Sequence, residues 1–376
     1  MGDHPFSDLA VVLAGGGARA AYQVGVLQAV AEHVPELHIP IITGVSAGSI
    51  SAAYLAGHPG PLRRAVGELR GEWLRLTADK VYSVPARGIL RTGVHVLGNL
   101  LRRYRAPPAV RGLLDMRPLA EFLTQSLNVS GIDANVASGK LHALALSATS
   151  YDSGKTVTFV HGHAGVPIWE RANRVAIRTS IAVDHVMASA AIPILFPAVR
   201  VNGGYYGDGS VRQTAPLAPA IHLGARRLLV IAMRSGGPPR LPDAGYPSSA
   251  AITALLLHSV FLDALDADVE RLERINSLVQ ALPSSAVAPE GLRPVQLVVV
   301  RPSRDLGALA EGYRPSLPMP MNWLVRSMGS QTERGADFLS YLLFEPDYMG
   351  LVMELGYEDA QADWDPLDRM LEGGRP

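Results

Sequence analysis

Cysteine is absent from the 376 residues, which excludes disulfides, thiolate nucleophiles and cysteine-held metals, and leaves the compartment open. Lysine occurs only at Lys80, Lys140 and Lys155, so arginine carries nearly all the positive charge. Net charge is also absent, with 34 basic against 34 acidic residues, which argues against a surface built for a polyanion. No apolar run approaches the ~18 to 20 residues of a spanning helix. No basic stretch precedes the apolar residues 9–14, and that run is too short for a signal-peptide core. These absences predict a cytoplasmic protein whose contact with membranes is peripheral. Internal repeats and low-complexity tracts are missing as well. With 48% apolar and only 18% charged residues, the chain is globular, and its length suffices for a substantial core.

What the chain has instead is glycine in two short turns. Gly15-Gly16-Gly17-Ala18-Arg19 follows the apolar run 8–14, and Gly44-Val45-Ser46-Ala47-Gly48 follows the apolar run 39–43. Both runs are continuous in apolar character, as buried parallel strands are. A helical pattern follows each turn, over 18–31 and 47–56. If the two strands are parallel neighbours, both turns emerge at the C-terminal edge of one sheet, where open α/β sheets place their sites.

Further helices are expected at 62–78, 117–127 and 250–281, and in a tail from 330 to about 357. Strands are expected at 141–149 and 156–160, joined by a hairpin turn in which Asp152 is a turn former. A short helix falls within 183–197, two short β segments flank Asn202-Gly203-Gly204, 228–233 reads as a buried strand, and 295–301 as one more strand. The Pro/Gly-rich loop at 236–247 resembles a boundary. The strand after it argues for one domain, since it would rejoin the sheet. Between Lys80 and Arg117 stand eight basic residues and a single acid, Asp115, with Leu, Val and Ile interleaved. That pattern fits a solvated helix packed on the core, or a cap that meets anionic lipid.

A Gly-X-Ser-X-Gly turn between strand and helix is what a nucleophile elbow requires, because the tight turn holds the serine oxygen out of the strand end. It also fits a turn whose serine only caps the helix. Gly15 to Gly17 could form an oxyanion hole from successive amides at a helix start. The same turn fits a dinucleotide fingerprint, Gly15-x-Gly17-x-x-Ala20, but that motif needs an acid ending the next strand, and here stands Thr43-Gly44. No histidine, His142, His161, His163 and His185 included, has a telling context as the serine's base. Asp208 stands out, between Gly207 and Gly209.

Together four motifs, Gly15 to Ala20, Gly44 to Gly48, Ala188-Ser189-Ala190-Ala191-Ile192-Pro193 and Asp208-Gly209-Ser210, resemble the patatin-like phospholipase family over residues 9–220. The resemblance implies a three-layer α/β/α fold with a mostly parallel sheet. It implies a lipid acyl hydrolase that cleaves phospholipid or lysophospholipid esters with a Ser46–Asp208 dyad. Gly15, Gly16 and Gly17 would hold the oxyanion, and Arg19, Gly44, Gly48 and Gly209 would support the site. No cofactor or metal is implied. Arg19, a cation in a first helical turn, needs a compensating partner, either loop carbonyls or a substrate phosphate. The chain departs from the family pattern at Ala20 and Ser210. The domain organisation expected is a hydrolase domain at 6–305, with a possible cap or membrane-facing insertion at 80–117, and a helical extension at 306–376. The competing readings are a catalytically weak membrane-associated regulator on this fold and a Rossmann-type oxidoreductase. Ser46 paired with Asp208 opposes both.

Overall fold

The continuous apolar runs become the middle of one sheet. In the computed structural model, residues 8–83, 112–236, 263–283, 292–316 and 340–372 are described. Strands β1 (Leu9–Leu13) and β2 (Ile41–Val45) are buried at every residue. They pair in parallel, with Leu13 opposite Gly44, so both glycine turns leave the sheet at the same edge. β2 begins two residues later than the sequence pattern, because Pro40 has no N–H to give the ladder. A tight 3-10 turn, Gly17–Ala20, precedes α1 (Ala21–His33), so the regular helix starts three residues later than expected. β2 leads into α2 (Ala47–Gly57) as the sequence predicts. The helix expected at 62–78 ends early, as α3 (Leu62–Arg75), and a separate turn follows at Ala78–Val81.

α4 (Arg117–Ser126) and α5 (Val129–Ala137) lead to the hairpin β3 (Ala143–Ser150) and β4 (Thr156–Gly162). Asp152 in its turn accepts the amide of Tyr205 at 3.1 Å, a structural bond. The strands β5 (Glu170–Arg171) and β6 (Arg174–Arg178) follow, then α6 (Val183–Ala190) and the short pair β7 (Val199–Val201) and β8 (Gly204–Asp208). The chain continues through α7 (Ala218–His222), β9 (Arg227–Ile231), α8 (Asp263–Gln280) and β10 (Gln296–Val300) to α9 (Pro346–Ala362) and α10 (Trp364–Glu372).

The ten strands form one sheet in the order β10-β9-β1-β2-β3-β4-β6-β5, and β8 pairs with β3 and β7 off this path. β10, β9, β1, β2 and β3 are mutually parallel. β10 does rejoin the sheet beyond the Pro/Gly-rich segment. Successive strand side chains point to opposite faces, and β1 therefore serves two cores. Leu9, Val11 and Leu13 pack with α1, α2 and α9, while Ala10 and Val12 pack with α7 and α8. Helices on both sides of a mostly parallel sheet make the three layers anticipated from the motifs.

Most of the basic segment at 80–117 lies outside the described residues. Its described flanks meet in a bridge between Ser83 and Asp115. The loop beyond residue 236, the starts of the helices expected from 250 and from 330, and residues 373–376 also lie outside them. Among the described residues no helix is long and apolar enough to cross a membrane.

Candidate active site

Ser46 occupies the turn from β2 to α2 with φ 53° and ψ −132°, a conformation that residues other than glycine rarely adopt. Such strain persists where the surroundings over-determine it, and here they do. The Ser46 amide donates to Ser189 Oγ at 3.0 Å, and that hydroxyl donates to the Ser147 carbonyl at 2.6 Å. Ser49 Oγ donates to the Ser46 carbonyl at 2.6 Å. Gly48 lies against the carbonyls of Leu13 and Ala14, and Gly44 against the first turn of α2, which draws the helix onto the sheet edge.

The register of β3 explains how Asp208 reaches this serine. β4 occupies one edge of β3 as far as Thr149, so β8 takes the edge shared with β2. Val45 pairs with Ser147 and Asp208 with Ala148, in successive places along one lane. β8 thus runs into the end of β2, and the last residue of one strand meets the residue after the other. Ser46 Oγ donates to Asp208 Oδ2 at 2.5 Å. The Ser210 amide donates to Oδ1 at 2.9 Å, and the Asp208 amide donates to the Ala191 carbonyl at 2.8 Å. Gly209 lies against the Ser147 carbonyl, which keeps the strand end flush with β3.

Asp208 is wholly buried, and desolvation pushes its pKa up to about 6, against the opposing pull of the bonds from Ser46 and Ser210. The Ser210 side chain is buried and faces Gly15, and its main-chain amide holds Asp208 Oδ1. The serine at this position therefore leaves the main-chain bond to the carboxylate in place.

Gly15 approaches Ser46 so closely that a β-carbon would overlap the serine's own. Gln23 Nε2 donates to the Ala14 carbonyl at 2.7 Å and fixes the strand end from which the turn departs. Gly17 has φ 57°, and a β-carbon on it would run into the carbonyl of Tyr341. The turn is therefore glycine for conformation and for space together. Arg19 is 2% exposed, donates from Nε to Ser340 Oγ at 2.5 Å and stacks 4.2 Å from the centroid of the Tyr341 ring. Both of these partners, a hydroxyl and an aromatic face, come from the far end of the chain.

The structure thus brings Ser46, Asp208, Gly15 to Gly17, Arg19, Gly44, Gly48 and Gly209 to one sheet edge. Ser189, Gln23, Ser340 and Tyr341 are additions that sequence did not mark. Ser189 stood within a noted motif, but in a run of small residues its size alone explains it. His185 and His161 accept backbone amides through Nδ1, from Ala182 and Ile181, and serve the framework. Beside Ser46 and Gly17 opens a narrow apolar cleft, with Ala47, Ile50, Leu119, Ile192 and Phe196 among its lining residues.

Among solved structures the chain resembles VipD from Legionella pneumophila, at 11% identity and TM-score 0.33, with 97% of this chain and 66% of that one covered. It also resembles human GIVD cytosolic phospholipase A2 in complex with methyl gamma-linolenyl fluorophosphonate and terbium chloride, at 12%, TM-score 0.44, and 97% and 59% coverage. The ExoU–SpcU complex from the type III secretion system of Pseudomonas aeruginosa matches at 15% and TM-score 0.27, with 94% and 75% covered. The chain spans less than two thirds of the length of the first two. No curated protein matches it. The sequence model described as patatin-like phospholipase matches residues 11–221, more than half of the chain and the whole of the segment carrying the two turns and Asp208. On that match the chain belongs to the patatin-like phospholipase family, a family of lipid hydrolases.

Proposed function

We propose that the protein hydrolyses carboxylic esters of phospholipids or lysophospholipids through an acyl-enzyme on Ser46, with Asp208 as the base. The observation that carries this reading is the 2.5 Å bond from Ser46 Oγ to a fully buried carboxylate. Asp208 takes the Ser46 proton as Oγ adds to the ester carbonyl. The carbonyl oxygen becomes an oxyanion, and the amides of Gly15 to Gly17, chiefly Gly16 and Gly17, receive it. Each such donor is worth about 3 to 4 kcal/mol to the transition state. The C–O bond to the leaving alcohol breaks, and Asp208 returns the proton to that alkoxide. Water then enters and adds to the acyl carbon as Asp208 removes its proton; the bond to Ser46 Oγ breaks, the fatty acid leaves, and Asp208 returns the proton to Oγ. A carboxyl group with its pKa near 6 can both accept and return a proton near neutral pH.

The lining of the cleft beside Ser46 is apolar, which matches the chemistry of a lipid acyl chain. In the same reading one domain, 6–305, carries the site, the 306–376 extension packs on it, and contact with lipid in the cytoplasm is peripheral. The test is fatty-acid release from phosphatidylcholine and lysophosphatidylcholine vesicles. Release by the wild type, reduced roughly 10⁴-fold or more in Ser46→Ala, supports the proposal. Equal release by both proteins contradicts it.

A further inference from the structure

We infer that the segment from Ser340 to Phe344, well beyond the family-matched residues 11–221, is a wall of the active site and sets its acyl-chain selectivity. This rests on the reading that Ser46 is the acylated residue. The five residues Ser340, Tyr341, Leu342, Leu343 and Phe344 are all buried. Five separate contacts hold them at the site. The Tyr341 carbonyl fills the space that a side chain on Gly17 would need. Arg19 binds the Ser340 hydroxyl and stacks on the Tyr341 ring. Tyr82 Oη donates to the Leu342 carbonyl at 3.1 Å, and the Ala78 amide donates to the Phe344 carbonyl at 3.0 Å. The segment is thus tied to the glycine turn at one end and to the turn after α3 at the other.

Tyr341, Leu342 and Phe344 line the apolar cleft together with Ala47, Ile50 and Leu119, and Ser46 and Gly17 line it too. An ester whose carbonyl carbon sits at Ser46 Oγ and whose oxygen points to the Gly17 amide has this cleft as the apolar space next to its acyl chain. Room for one methylene more or less in an apolar pocket changes discrimination by roughly tenfold or more. The length of chain accepted therefore depends on residues contributed from some 300 positions downstream of the nucleophile.

The test compares kcat/KM for nitrophenyl butyrate, laurate and palmitate, each ratio taken on one preparation so that the folded fraction cancels. Leu342→Trp is expected to lower the laurate-to-butyrate ratio by about tenfold or more. Leu342→Ala is expected to move it the other way and raise palmitate relative to laurate. Ratios unmoved in both variants, each still labelled at Ser46 by a fluorophosphonate, overturn the inference. If Leu342→Trp does not fold, an unmoved ratio in Leu342→Ala overturns it alone. Failure of the wild type to label at Ser46 overturns instead the proposed function on which it rests.

Discussion

Burial and a hydroxyl pull Asp208 in opposite directions, and burial wins, which places its pKa at about 6 instead of 3.8. Activity and stability should then respond to pH with opposite signs. As a base Asp208 must be ionised, so kcat/KM for a soluble ester is expected to fall below a midpoint near pH 6, read from a pH–rate profile. For stability the folded pKa lies above the unfolded one, so the folded state holds the extra proton. That contribution is present below about pH 4 and is lost as pH rises through about 6. Asp208→Asn should flatten this part of the stability profile in denaturant titrations at fixed pH. Ser189 gives a second residue-scale prediction. Ser189→Ala leaves the Ser46 amide and the Ser147 carbonyl without their partner, at a cost of about 1 to 3 kcal/mol for each group left buried and unsatisfied. The midpoint of urea unfolding should fall accordingly. Sequence exposed the two groups of the proposed dyad, because glycine flanks Ser46 and Asp208 only where backbone geometry demands it. It hid their supports. A serine among alanines carries no mark of its two bonds, and Arg19 showed only that a partner was wanted, not that Ser340 would supply it.

At the scale of elements, the run of β8 into the end of β2 assembles the site, and this was only half legible. The two β segments around Asn202 could be read, but their lane beside β3 depends on where β2 stops and β4 continues. Buried strands were legible throughout because continuous apolar runs admit few other readings. The elements that escaped are short or polar. β6 begins and ends in arginine on the outer part of the sheet, and α5 carries glycine and asparagine inside and is held instead by its Asn128 cap, which accepts the Gly131 amide at 3.0 Å. The loop after α6 adds a prediction. Ile194 has φ 71° and is 80% exposed, on the turn between Ile192 and Phe196, which line the cleft. Its carbonyl accepts the Leu113 amide at 3.1 Å, but its exposed β-branched side chain makes this conformation strained. Under the proposed function, this exposed apolar side chain is expected to enter the lipid surface. Ile194→Gly should raise folding stability by about 1 kcal/mol as the strain is released, while co-sedimentation with phospholipid vesicles falls. Undiminished co-sedimentation would remove Ile194 from the lipid contact.

For the molecule as a whole, the C-terminal third is structural to the part that carries the motifs. α9 lies on α1 so closely that β-carbons at Gly25 and Gly356 would strike the carbonyls of Met353 and Tyr22. Buried Arg227 on β9 binds Asp8 at 2.9 Å and the Met370 carbonyl at 3.2 Å, joining both ends of the described chain. A fragment ending at residue 236 loses α9, α10 and the β10 partner of β9, and leaves Tyr22, Val26 and Leu229 open to water. It is expected to show no cooperative unfolding transition by circular dichroism, although it contains the whole family-matched region. The placement of β10 could be read from its apolar pattern, but contacts over more than 300 residues leave no local periodicity to read. The account stands or falls on one chemical event, the activation of Ser46 by Asp208. Its most direct test is the rate of fluorophosphonate labelling, with the modified residue located by peptide mass spectrometry. A single adduct on Ser46, forming roughly 10³-fold or more slowly in Asp208→Asn, is the result predicted. An adduct on any other residue, or equal rates in the two proteins, would contradict it.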